Sequence, residues 1–96
     1  MEKTQFVWIF NEVSRRYPNF PGGVFLDRTT AEGWIRKYLL SGTLTKYPLN
    51  ISVYDWAVDT GIYRPKKDSE ISSAFIGAFT SASQEHYHYE SGILLN

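Results

Sequence analysis

The run Glu85-His86-Tyr87-His88-Tyr89-Glu90 holds the residue types in this chain best suited to chemistry. On a β-strand alternate side chains project to opposite faces, so His86, His88 and Glu90 would stand together, with Glu85, Tyr87 and Tyr89 on the other face. Two imidazoles and a carboxylate at i, i+2 and i+4 match the donor set of a divalent metal such as zinc, with a coordination position left open. The competing reading is a solvent-facing strand whose tyrosines pack on a core and whose histidines serve no metal.

Other reactive side chains carry less. Glu32, Asp55 and Asp59 are carboxylates of the kind used for acid–base work. Glu32 and Asp55, however, have the spacing of helix-start residues, where negative charge complements the helix dipole, and Asp59 falls on an expected solvated face. Ser72, Ser73, Ser81 and Ser83 lack a nucleophile elbow, and Gly22-Gly23 and Gly77 form no phosphate-binding loop. The chain has no cysteine, which excludes disulfides, thiolate catalysis and Cys-based zinc sites. No catalytic constellation emerges, so the expectation is a non-enzymatic protein without a cofactor, the alternative being a small-molecule or divalent-metal-binding protein centred on the Glu85–Glu90 strand.

The elements that would position these residues begin with a helix. In Thr29 to Gly42, Ala31, Trp34, Ile35, Tyr38 and Leu39 fall on one apolar stripe. Thr29 and Glu32 have capping-box spacing at its start, and Ser41-Gly42 offers a left-handed stop. Before it, Gln5 to Phe10 reads as a central strand covered on both sides, Asn11 to Gly23 as a wide loop with Arg15 and Arg16 at its tip, and Val24 to Leu26 as a hairpin partner. After it, Thr43 to Tyr47 alternates as a strand stopped by Pro48. Ser52 and Asp55 cap a short helix ending at Gly61, with Trp56 as its anchor. Ile71 to Phe79 fits both strand and helix spacing, and its flanking serines and threonine favour a strand. Glu85 to Glu90 is the last strand, broken by Ser91-Gly92, with a fraying end. The order β-β-α-β-α-β-β implies one α+β domain over residues 1–96, a mainly antiparallel sheet with two helices on one face.

Ten basic residues balance ten acidic ones, so no net field attracts nucleic acid or an anionic membrane. Two small basic loops, Arg15-Arg16 and Arg64-Pro65-Lys66-Lys67, do not overturn that balance, and nucleic-acid binding is not expected. The apolar run Phe6 to Phe10 is too short for a membrane span or a signal peptide, which makes a cytoplasmic protein the default. Three Trp, seven Tyr and six Phe look like more ring surface than so small a chain can bury. Exposed tyrosine, beside arginine, is the residue type that dominates protein–protein contacts. Tyr17, Tyr47, Tyr54 and Tyr63, with Arg15 and Arg16, are therefore the expected partner contacts. A homodimer through a sheet edge is a further expectation.

Val7-Trp8-Ile9-Phe10-Asn11, Phe20-Pro21-Gly22-Gly23-Val24-Phe25, Ala31-Glu32-Gly33-Trp34-Ile35, Ser41-Gly42-Thr43-Leu44-Thr45, Tyr47-Pro48-Leu49, Val53-Tyr54-Asp55-Trp56-Ala57 and Ser81-Ala82-Ser83-Gln84-Glu85-His86-Tyr87-His88-Tyr89-Glu90 run in order through nearly the whole chain. Together they resemble small bacterial proteins that carry an uncharacterised domain. The chain departs from them in a longer first loop, Glu12 to Asn19. The resemblance implies a stand-alone bacterial module and hands no catalytic role to any residue. By analogy with other small α+β bacterial proteins, the partner it implies is a toxin or a defence-system component, met by an immunity or inhibitor protein.

Overall fold

The computed structural model describes residues 3–14 and 20–95. Helix α1 runs Arg28–Lys37 and begins earlier than the Thr29 spacing implies, because Asp27 intercepts the start. The Asp27 carboxylate accepts the Thr30 N–H at 2.7 Å. That bond to the backbone holds its carboxyl below the usual range. Thr29 and Glu32 consequently lie inside the helix, and the capping box does not form. At the other end Leu39, with φ 53°, takes the left-handed position. Leu40 N–H then reaches Ile35 O at 2.9 Å and Leu39 N–H reaches Arg36 O at 3.3 Å, the bond pair of a Schellman motif. Gly42 belongs to the following strand, where a Cβ would stand 2.6 Å from Phe10 Cζ. Only glycine lets the two strands approach there.

Five strands, β1 (Phe6–Glu12), β2 (Pro21–Phe25), β3 (Gly42–Pro48), β4 (His86–Glu90) and β5 (Ile93–Leu95), pair antiparallel in the order β2-β1-β3-β4-β5. Phe6, Trp8 and Phe10 alternate onto one face of the sheet. Register places Phe25 beside Trp8 and Leu44 beside Phe10, with Tyr87 beside Leu44. Ala31 and Ile35 of α1 close over this row, so Trp8, Phe10, Ala31, Ile35, Leu44 and Tyr89 form the buried core. β5 is a strand the sequence reading missed. Ser91 and Gly92 both have positive φ and join Glu90 to Ile93 as a two-residue hairpin turn. The turn is pinned to the end of α1, with Ser91 N–H on Ser41 Oγ at 2.9 Å and Gly92 N–H on Leu40 O at 2.8 Å.

Between β3 and β4 the chain forms α2 (Val53–Asp59), a 3₁₀ turn (Asp68–Ile71) and α3 (Ser73–Ala78). Ser52 caps α2 as its spacing foretold, accepting the Asp55 N–H at 3.0 Å. The segment Ile71 to Phe79 is helical, not a strand. Ser72 accepts the Phe75 N–H at 3.2 Å and starts the helix, so the serine read as a strand boundary is a cap. The α+β class and the antiparallel sheet hold, and the order β-β-α-β-α-β-β is met with β4 and β5 as the final pair once α2 and α3 count as one helical segment; the described residues form three α-helices where two were expected.

Candidate functional site

Among the described residues, helices cover the sheet on one side only. The molecule measures 22 Å along its thinnest axis, the depth of one sheet and one layer of helices. The other face carries Val7, Ile9 and Asn11 of β1, Thr43, Thr45 and Tyr47 of β3, Val24 of β2, and His86, His88 and Glu90 of β4. None of these is buried. The expectation that β1 is covered on both sides is thus corrected: Val7 and Ile9 are shielded only laterally, by Tyr47 and by Val24 and Thr45. At the two edges the face is frankly apolar, with Val24 62%, Ile93 68% and Leu95 43% exposed. One row crosses four strands as Val24, Ile9, Thr45 and His86, and the next places His88 between Thr43 and Leu95.

On this face His86 and His88 stand edge to face, their centroids 5.3 Å apart. The His86 Nδ1–H donates to Gln84 O at 2.8 Å, which fixes the tautomer of the neutral ring and leaves Nε2 with its lone pair. The His88 Nδ1 lies 3.2 Å from Thr43 Oγ1 on the neighbouring strand. Glu90 shares the face but does not complete a set. Among the described residues no group of three or more His, Asp or Glu side chains is placed to hold a metal ion.

The opposite face of β4 builds a polar cluster under the start of α1. The Arg28 guanidinium lies 3.6 Å above the Tyr87 ring centroid, and its Nε stands 3.3 Å from Glu32 Oε2. Tyr89 O–H donates to that same oxygen at 2.6 Å. The Arg28 Nε is buried and meets no acceptor in hydrogen-bonding geometry, so its pairing with Glu32 is electrostatic rather than directional. Burial, together with the bond to Glu32, pushes the Tyr89 hydroxyl up to about 12. Glu32 is therefore engaged by a neutral phenol and a cation, which makes it a strut joining helix to sheet rather than a free acid or base. Sequence reasoning missed this cluster because the capping spacing hid it. The i, i+4 spacing of Arg28 and Glu32 was the available signal.

The expected aromatic contacts fare unevenly. Tyr17, Arg15 and Arg16 lie outside the described residues. Tyr54 is buried at 8% exposure and cannot meet a partner. Its ring packs edge-on to Tyr63, Phe75 and Phe79. Tyr63 is half-buried there, its hydroxyl donating to Glu70. Tyr47 is half-buried on the open face beside Val7. The chain absorbs its rings by building a second cluster around Tyr54, apart from the core under α1. Only Phe20 and Tyr38 remain strongly exposed among the described aromatics.

Residues 7–94 match a family described as a domain of unknown function, DUF7710. The chain belongs to this family. Its span takes in both aromatic clusters and nearly the whole sheet, in agreement with the resemblance read from the sequence, and it assigns no activity. No curated protein and no solved structure matches the chain. Among the described residues no helix is long and apolar enough to cross a membrane.

Proposed function

We propose that the protein is a non-enzymatic binding module that covers a surface of another protein with the helix-free face of its sheet, in the manner of an inhibitor or immunity protein. The observation that supports this reading is the exposed aliphatic surface at both edges of that face, Val24 on β2 and Ile93 and Leu95 on β5. Large apolar side chains left exposed at both edges of one sheet face, with Val7 and Ile9 half-buried between them, mark a place where another macromolecule removes them from water. The contact moves from tyrosines to aliphatic side chains, with Tyr47 retained. A photo-crosslinking residue placed at Val24 or Leu95, in the cells the protein comes from, tests it. One protein adduct shared by these two positions and absent from Val58 on α2 supports the reading. The same diffuse background at all three sinks it. An adduct of twice the chain mass would identify a second copy as the partner.

A divalent-metal role at His86 and His88 is the second reading, favoured by the Gln84 carbonyl, which takes the His86 Nδ1–H and turns Nε2 outward as backbone acceptors do behind metal-bound histidines. Titration calorimetry with zinc checks it. Heat that survives in the His86→Ala, His88→Ala double variant removes the histidines from the account.

A further inference from the structure

A cleft of about 450 Å³ opens where β1 and β2 meet the C-terminal end of α1. Its walls are Phe10, Phe20, Pro21, Trp34 and Leu40, and among the described residues Glu12 is the one charged side chain lining it. Gly22 lines it as bare backbone, and at Gly23 a Cβ would strike the Phe25 ring at 2.7 Å. A Cβ at Gly22 would lie 3.6 Å from Trp34 Cη2, and one at Gly23 would lie 3.4 Å from Trp34 Cζ3. The indole therefore rests along bare backbone. It is propped from behind by Phe10 and Phe25, each with its ring centroid 5.4 Å away. Glu12 is held as well: both of its carboxylate oxygens lie 2.7 Å from the Ser14 N–H, which fixes their direction and leaves lone pairs over.

An apolar cavity of this size with a single oriented polar group has the make-up of a small-ligand site. The chemistry of its walls selects the ligand. Aromatic rings attract a cation through their quadrupole, and a carboxylate at the same cavity adds charge complementarity. An anion meets repulsion from Glu12, and a neutral molecule gains only apolar contact. We propose that this cleft binds a small organic cation, an alkylated or quaternary ammonium carrying an apolar body. The site lies on the helix-covered side of the sheet and stands independently of any partner on the opposite face.

The test titrates the full chain with phenyltrimethylammonium, with the neutral cumyl alcohol of similar shape, and with benzoate. Binding is read from the Trp34 indole N–H and the backbone amides of Phe20 and Gly22 by NMR. The cation is expected to bind at least about tenfold more tightly than the alcohol, with benzoate weakest. Glu12→Gln should weaken the cation severalfold, leaving it a smaller preference over the alcohol from the rings alone, and should leave the alcohol unchanged. Trp34 also supports Phe10 and Phe25, so Phe20→Ala, at a side chain 74% exposed, tests the wall without disturbing the core and should weaken both ligands. Equal binding of cation and alcohol overturns the proposal. So does an absence of shifts with the cation, or cation binding that ignores Glu12→Gln.

Discussion

The rings beneath α1 and the rings around Tyr54 are the same residue types, held by different means. Trp8 and Phe10 sit on a central strand whose backbone is tied on both sides, to β2 and to β3. Tyr54 and Phe75 sit on helices of seven and six residues, Tyr63 on the connector between them and Phe79 just past the second. Helices that short do not persist unless packed. In the first group the backbone ladder fixes the rings. In the second the rings fix the backbone, so the Tyr54 cluster should open locally while the sheet stays closed.

The largest blow to this contrast is Phe10→Ala, at a side chain 1% exposed. It should cost about 3–5 kcal/mol and lower the urea midpoint for the whole chain. Phe75→Ala should cost less, about 1–2 kcal/mol, and act locally. Hydrogen exchange should show lost protection in α2 and α3 with β1 and β3 unchanged; equal loss in the sheet would make the two clusters one cooperative unit.

Alkali sharpens the comparison. Burial and a carboxylate acceptor push Tyr89 in the core and Tyr63 in the second cluster each up to about 12, from an ordinary 10.0. A raised folded pKa favours the neutral phenol, so the stabilisation is complete below pH 10.0 and is lost as pH rises towards about 12. Tyr89, 4% exposed, should carry more of this loss than half-buried Tyr63. Chemical denaturation across that window should therefore flatten more in Tyr89→Phe than in Tyr63→Phe. The smallest effect belongs to Leu39→Gly, which relieves a left-handed leucine and should stabilise by about 1 kcal/mol, read as a modest rise in Tm.

The sheet and α1 were legible because their signals are periodic. Ala31, Trp34 and Ile35 mark a helix by spacing, and His86 to Glu90 marks a strand by alternation. The ends were not, because side chains compete for them. Asp27 took the cap from Thr29, and Leu39 took the left-handed turn from Gly42. Ser72 and the Tyr54 contacts made a helix of Ile71 to Phe79, a tertiary outcome that local spacing leaves open. The candidate site was half visible. Alternation placed His86, His88 and Glu90 on one face, but which face of the sheet would lack helices was not written in any single segment. The cleft at Trp34 joins Phe10 and Glu12 of β1 to Pro21 and Gly22 of β2 and Leu40 after α1, a tertiary meeting that no single segment announces.

β5 closes the sheet with Ile93, Leu94 and Leu95, all exposed and none charged. Natural edge strands are commonly guarded by lysine, proline or a bulge against stray pairing. Here the guard is brevity, since three residues offer too short a ladder to recruit a stranger firmly. Any mutation that lengthens the ladder between β4 and β5 would remove that guard and invite fibre-like stacking.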